Sequence, residues 1–137
     1  MLTLHLASLF GVGAVILAAD RNVFAWIRGK KIVLRESRLR LLHALTWLCL
    51  VSLIATGTIM AYPMRSYLLS DPAFIEKMLF VAILAVNALL IGRLMGLATK
   101  RSYASLSRHE KAPLFMSGAV SLFSWLAATY LGYHLFP

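Results

Sequence analysis

The sequence predicts an all-α integral membrane four-helix bundle, formed by one domain that spans residues 1–137. Two observations predict it: the chain is unusually apolar, and its apolar residues are grouped in four long runs. Hydrophobic residues make up 61% of the 137 residues, and the mean hydropathy is +0.80. A soluble domain of this size is nearer half apolar and does not hide this much hydrocarbon surface from water.

Each apolar run has the length of a membrane-spanning helix. The runs cover residues 2–19, 41–62, 74–91 and 114–136. A helix needs about 17–25 residues to cross roughly 30 Å of hydrocarbon. Backbone groups in lipid must bond internally, so each run is expected to be helical.

The first helix is predicted over residues 2–28 and the second over residues 40–62. Asp20 ends the first apolar run, but Trp26 beyond it suits the membrane interface, so the helix is expected to continue past the carboxylate. The second helix is expected to end before Pro63, because proline cannot continue a helix interior.

The third helix is predicted over residues 72–95 and the fourth over residues 113–136. Asp71 is a capping residue, and Pro72 follows it in the first turn, where proline is favoured. Pro113 is expected to open the fourth helix for the same reason.

The distribution of charge predicts the orientation in the membrane. Twelve of the fourteen basic residues lie between the first and second runs or between the third and fourth: Arg21, Arg28, Lys30, Lys31, Arg35, Arg38, Arg40, Arg93, Lys100, Arg101, Arg108 and Lys111. The positive-inside rule puts both loops in the cytoplasm and both termini outside. We therefore expect a multi-pass protein of the cell's cytoplasmic (inner) membrane, in contact with the lipid bilayer. The net charge of +9 needs no nucleic-acid partner to explain it.

Small and polar residues inside the runs predict where helices approach one another. Pairs of small residues at helical spacing suit close backbone contact: Ala7 and Gly11, Ala14 and Ala18, and Ser117 and Ser121. Asn87, in the third run, is expected to form hydrogen bonds between helices.

The candidate functional residues are the polar side chains at the rim of the membrane, because such groups are costly there and are often functional. His5, Lys77 and His134 are predicted at one level near the outer face, and His43 and His109 near the inner face. Histidines from two helices at one level are typical of membrane b-type haem proteins, in which imidazoles ligate the iron. The plainer interpretation is that these are interfacial residues whose polar tips reach the head groups, and Lys77 can extend outward in this way.

Three short motifs follow one another along the chain. They are Leu4-His5 with Gly11 and Gly13, a lysine and leucine-rich stretch from Lys77 to Val81, and Glu110 shortly before Pro113. In these features the chain resembles the superfamily that includes HemJ-type protoporphyrinogen oxidases and CopD-type copper-resistance membrane proteins. The resemblance implies a four-helix membrane fold, bound haem b, and essential roles for His5 and Lys77.

The chain also differs from the HemJ-type pattern. Val12 and Gly13 stand where a tryptophan is expected, and Asn87 stands where those proteins have a Tyr-His pair. The acidic residue before Pro113 is one position farther away than usual. The resemblance therefore implies shared architecture rather than protoporphyrinogen oxidation itself.

Three classes of function follow. The first is a haem-b-binding redox protein, a membrane oxidoreductase with a porphyrinogen, a quinone or another redox partner as substrate. His5 and Lys77 would be its catalytic residues, and His5 an axial ligand with His134 or Lys77 opposite or nearby. The other histidines near the membrane surface, His43 and His109, are further candidates for cofactor binding.

The second class is a copper-handling protein, because soft thioethers with imidazole suit Cu(I). Its candidate ligands lie toward the outer face: Met1, His5, Met60, Met64 and His134. The third class is a non-catalytic accessory subunit of a larger membrane complex or homo-oligomer, because the chain has almost no segment outside the membrane. Whether the chain is an enzyme depends on which class is correct.

The predicted orientation can be tested with a reporter that is active only in the cytoplasm. Fused after Pro137 it should stay inactive, because both basic loops are expected on the opposite side of the membrane. The same reporter fused to a chain truncated after Lys30 should be active. Activity of the fusion after Pro137 would reverse the orientation.

Overall fold

The computed structural model describes residues 1–135, which are helical apart from short connections. In chain order the helices are α1 (Leu2–Ile27), α2 (Glu36–Ala61), the single turn α3 (Arg65–Leu68), α4 (Pro72–Lys100) and α5 (Arg108–Leu135). The four long helices are each long and apolar enough to cross a membrane. This confirms the all-α class and the predicted number of long apolar helices.

The long helices form an antiparallel ring in the order α1, α2, α4, α5. α1 packs most extensively on α2, and α4 on α5, while α1 with α5 and α2 with α4 make smaller contacts. The two basic loops meet at one end of the ring, where Leu34 N donates to Ala98 O at 2.8 Å and Trp26 Nε1 donates to Arg101 O at 3.1 Å. The predicted placement of both loops at one end is confirmed; the side of the membrane that they face stays a prediction.

The buried apolar side chains form two clusters along the bundle axis. The central cluster consists of Val12, Ile16, Leu50, Leu53 and Leu84. The second lies at the end that carries the basic loops, and consists of Trp26, Leu34, Leu39, Ala98 and Leu106. Most other large apolar side chains are exposed on the outside of the ring, as expected where hydrocarbon is the solvent.

Three predicted helix ends at the basic end are wrong by several residues. α2 begins at Glu36 rather than 40, α4 ends at Lys100 rather than 95, and α5 begins at Arg108 rather than 113. Each helix continues past its apolar run into polar residues, because hydropathy reports where the hydrocarbon ends and not where the helix ends. The predicted start at Pro72 is confirmed, with Asp71 Oδ1 accepting from Ala73 N at 2.9 Å. Position 136, the predicted end of the last helix, lies outside the described residues.

A capping box explains the early start of α5. Ser107 N donates to Glu110 Oε2 at 2.8 Å, and Glu110 N donates to Ser107 Oγ at 3.3 Å. This reciprocal pair satisfies two orphan donors of the first turn. Pro113 therefore lies inside α5 and leaves the carbonyl of His109 without its helical donor.

Polar side chains join the helices within each closely packed pair. Ser8 Oγ and Ser52 Oγ are 2.8 Å apart between α1 and α2. Asn87 Nδ2 donates to Ser117 O and Ser121 Oγ, both at 2.7 Å, between α4 and α5. The predicted role of Asn87 is confirmed, and each such bond is worth about 0.6 kcal/mol in membrane helices.

The predicted small-residue contacts are confirmed in part. Ser117 and Ser121 are buried against neighbouring helices, whereas Ala7 and Ala14 are exposed and face outward. Helical spacing shows that two residues share a face, but it does not show whether that face meets another helix.

Two glycines of α1 let neighbouring side chains approach its backbone. A Cβ added to Gly11 would lie 2.9 Å from Cys49 Sγ on α2, and one added to Gly13 would lie 2.2 Å from the Trp125 ring on α5. The indole cannot move away freely, because its Nε1 donates to Leu9 O at 3.0 Å. Gly13 is therefore required for the contact between α1 and α5.

Replacing Gly13 by alanine should destabilise the bundle by about 1–3 kcal/mol, because the new methyl group overpacks the indole. Gly96→Ala is the matched control, since nothing lies within 4 Å of its added Cβ. Thermal melts in detergent should show a lower midpoint for Gly13→Ala and an unchanged midpoint for Gly96→Ala. Equal midpoints for Gly13→Ala and wild type would mean that the indole is free to move aside.

Candidate functional site

The imidazole of His5, on α1, is held by the hydroxyl of Thr56 on α2. His5 Nδ1 lies 2.9 Å from Thr56 Oγ1, and the same hydroxyl lies 2.7 Å from Ser52 O. A carbonyl oxygen can only accept, so the single hydroxyl hydrogen goes to Ser52 O. This favours the tautomer in which His5 Nδ1 is protonated and donates to Thr56, which leaves a lone pair on Nε2.

The surrounding backbone leaves room for this arrangement. Gly57 lies beside the ring, and a Cβ added there would be 3.2 Å from His5 Cε1. Within residues 1–135 Thr56 is the one side chain that hydrogen-bonds the His5 ring, and it does so at Nδ1. The bond to Thr56 therefore fixes the orientation of the imidazole and favours one tautomer.

His5 lines a cavity of about 230 Å³ between α2, α3 and α4, at the end of the bundle opposite the basic loops. The other charged side chains on its wall are Lys77 from α4 and Arg65 from α3. Most of the remaining lining is apolar: Leu53, Ile54, Met60, Ala61, Leu68, Leu69, Phe74, Met78 and Val81. His5 and Lys77, which are predicted at the same level along the bundle axis, therefore line the same cavity.

Lys77 is half-buried and rests against the bare backbone of α5. Its Nζ lies 3.0 Å from the position that a Cβ on Gly132 would take. None of the ion pairs in the described part of the chain includes this lysine. A cation in an apolar wall without a carboxylate partner is available to an anionic group of a ligand.

His134 does not reach this cavity. It is exposed on the outer face of α5, where its ring lies 4.5 Å from that of Tyr130 and 5.9 Å from that of Tyr133. The level predicted for His134 along the axis is similar to that of His5, but the side chain points away from the bundle. The structure therefore does not bring His5 and His134 together as two ligands of one ion.

The two histidines predicted near the inner face are also separate. His43 is half-buried, and its Nε2 accepts from Trp47 Nε1 at 3.2 Å. His109 lies in the first turn of α5 and is exposed, and it does not line the cavity that contains His43. These two residues form no common site.

A second cavity, of about 130 Å³, brings together polar groups that the sequence analysis did not place in one site. Asp20 on α1, His43 and Thr46 on α2, and Ser117 on α5 face it among aliphatic side chains. Ser117 Oγ is the one buried side-chain polar atom among residues 1–135 that has no hydrogen-bond partner. The sequence signal for this cavity was the predicted continuation of α1 past Asp20. A carboxylate within such a helix is expected to face a cavity or the inside of the bundle rather than lipid.

The candidate copper ligands divide between the cavity and the surface. Met60 lines the same cavity as His5, together with Met78, which the sequence analysis did not consider. Met1 and Met64 are exposed and do not line it. No three His, Cys, Asp or Glu side chains gather in a metal-binding group within the described residues.

The chain matches no protein-family model, no curated protein and no solved structure. The similarity to HemJ-type and CopD-type proteins therefore stays an expectation that rests on the short motifs.

The bond between His5 and Thr56 can be tested by removing the hydroxyl. Thr56→Val should leave the Nδ1 proton unpaired, lower the stability by about 1–3 kcal/mol, and allow the Nε2-protonated tautomer to appear. Nitrogen-15 spectra of histidine-labelled protein report the tautomer directly. Thr58→Val is the control, because that hydroxyl lines the same cavity but donates only to Ile54 O. An unchanged His5 spectrum in Thr56→Val would show that another group sets the tautomer.

Proposed function

We propose that the chain is a haem-b-binding redox protein of the membrane, with His5 as the iron ligand and Lys77 as its charged neighbour. The observation that carries the proposal is the state of the imidazole. Its Nδ1 lies 2.9 Å from the hydroxyl of Thr56, which favours an unprotonated Nε2, and the ring lines an apolar cavity. Metal-bound imidazoles are usually oriented in this way, through a hydrogen bond on the second nitrogen.

The lining of the cavity fits the chemistry of a porphyrin. Aliphatic side chains and Phe74 suit the faces of the ring, and the cations of Lys77 and Arg65 suit the two propionates. The cavity is open at its edge, since Ile54 and Met78 on its wall are exposed on the surface of the bundle. A ligand larger than the cavity can therefore extend toward the lipid.

The residues of the chain would have separate tasks. When bound, haem b supplies one-electron transfer. His5 would bind the iron through Nε2, and Thr56 would hold the imidazole in the correct tautomer. Lys77 would bind a propionate or pass a proton to or from the substrate, and the apolar wall would exclude water from the iron. His134, His43 and His109 have no part in this site.

Copper handling is the second candidate, and the thioethers of Met60 and Met78 favour it. Both line the cavity that contains His5, and a set of two thioethers with one imidazole suits Cu(I). Copper and haem would use the same nitrogen of His5, so metal analysis of the purified protein separates the two candidates.

A visible spectrum of the full-length protein, purified after expression with added haem precursor, tests the proposal. We expect a Soret band in the wild type and its loss in His5→Ala, because the variant removes the only iron ligand proposed. Thr56→Val should weaken haem binding by roughly 10–100-fold, the usual effect of removing such a supporting bond. His134→Ala is the control and should keep the full spectrum. Thermal melts establish that each variant is folded.

Two other outcomes would each contradict the haem proposal. A wild type that contains copper rather than iron, and loses it on replacement of Met60 and Met78 by leucine, supports the second candidate instead. A wild type that binds neither, even when loaded, overturns both and leaves the accessory-subunit reading.

A further inference from the structure

A polar cavity of about 320 Å³ lies at the basic end of the bundle, far from the cavity of His5; Leu34 and Leu39 separate it from the cavity that contains His43. Its wall is built by the C-terminal part of α1, the loop that follows it and the first turn of α2: Asn22, Lys31, Val33, Leu34, Arg35, Arg38 and Leu39. Three of the seven side chains are cationic and none is acidic. The proposed function makes no use of this cavity.

Two of the three cations converge on a single neutral oxygen. Lys31 Nζ donates to Asn22 Oδ1 at 3.0 Å, and Arg38 Nη1 donates to the same atom at 3.4 Å. The amide is held in place by its other end, because Asn22 Nδ2 donates to Ala18 O at 2.8 Å. Two like charges held against one amide oxygen repel each other, and an anion between them would relieve that repulsion.

The protein supplies no such anion. The chain has five acidic residues, all of them within the described part. None of them lines this cavity: Glu36, next to Arg35, pairs with Arg40, Glu110 pairs with Arg101, and Asp20 lines the cavity of His43. The remaining two lie at the opposite end of the bundle: Asp71 is the cap of α4, and Glu76 lies near the start of that helix.

Apolar side chains adjoin the cationic cavity. Ile32 and Val33, in the loop beside Lys31, are 77% and 45% exposed, and Phe24 on α1 is 51% exposed. Such residues next to a cluster of Lys and Arg suit the boundary between head groups and acyl chains. The surface therefore offers contacts for both parts of an anionic lipid.

We infer that this cavity binds a phosphate group, with Lys31, Arg35 and Arg38 as the ligands, and that its source is the head group of an anionic phospholipid. Arginine forms two parallel hydrogen bonds with phosphate oxygens, and lysine adds a point charge. Asn22 holds Lys31 and Arg38 at a fixed separation when no phosphate is bound. The site differs from a general attraction of basic loops to the membrane, because it depends on particular side chains.

Thermal melts of the full-length protein in neutral detergent test the ligand. Short-chain phosphatidylglycerol should raise the midpoint saturably, whereas phosphatidylcholine of the same chain length should not, since its phosphate is neutralised by choline. Inorganic phosphate should act weakly at the same concentration. An equal effect of inorganic phosphate would support the phosphate site but overturn the lipid as its source. An equal effect of phosphatidylcholine would overturn the proposal.

Matched variants test the site itself. Lys31→Gln and Arg38→Gln should each weaken phosphatidylglycerol binding by about fivefold, the usual contribution of one cation near an anionic membrane surface. Lys30→Gln is the control, because it removes the same charge from the neighbouring, exposed position that does not line the cavity. Retention of lipid in native mass spectrometry gives a second readout. Equal weakening by Lys30→Gln would mean a diffuse surface charge and no defined site.

An isosteric change provides the sharpest discrimination. Asn22→Asp puts a carboxylate where Lys31 and Arg38 converge, so it should raise the melting midpoint without lipid and abolish the further rise with phosphatidylglycerol. A full lipid response in Asn22→Asp would overturn the proposal. It would mean that the lipid binds equally well when the new carboxylate has neutralised Lys31 and Arg38.

Discussion

The absence of hydrogen-bonding solvent in hydrocarbon is the constraint on which the rest of this structure depends. It makes each long apolar run helical, and it requires polar side chains inside the bundle to bond to one another or to the backbone. Ser8 with Ser52, and Asn87 with Ser121, meet that requirement across the α1/α2 and α4/α5 contacts. The same bonds set the register of the two closely packed helix pairs. His5 meets this requirement at Nδ1 only, and its other ring nitrogen is the basis of the proposed site.

The division into two pairs also explains where the cavities lie. No side-chain hydrogen bond joins α2 to α4 among the described residues, and these helices make smaller contacts than those within each pair. Both apolar cavities include side chains from α2 and α4. A ligand that enters from the lipid would have to separate little packed surface there. The weakly packed contact between α2 and α4 and the imidazole of His5 therefore lie in the same part of the bundle.

The excess of basic over acidic residues leaves cations without partners at both ends of the bundle. With fourteen basic and five acidic residues, the chain cannot neutralise itself. Lys77 lies in an apolar wall at one end, and Lys31 and Arg38 share an amide oxygen at the other. Unpaired charge in or near hydrocarbon is costly. Anions of a ligand or of membrane lipids would lower this cost.

The sequence by itself determined positions along the bundle axis. Run lengths established four helices, Asp71 before Pro72 established the start of α4, and charge established that both basic loops share one end. The start of α5 also has a sequence signal, the S-x-x-E pattern from Ser107 to Glu110, which lies ahead of Pro113. Depth counted from helix ends was enough to bring Lys77 to the level of His5.

Only the tertiary structure decided which way each side chain faces around its helix. His134 shares the outer level but points outward, whereas Asp20 points inward toward a cavity. Lys30 and Lys31 are adjacent in sequence, yet only Lys31 lines the cationic cavity. Apolar residues surround these helices on nearly every face, because lipid and protein core are equally apolar. Hydropathy therefore carries no directional signal, and the direction is determined by the partner helices.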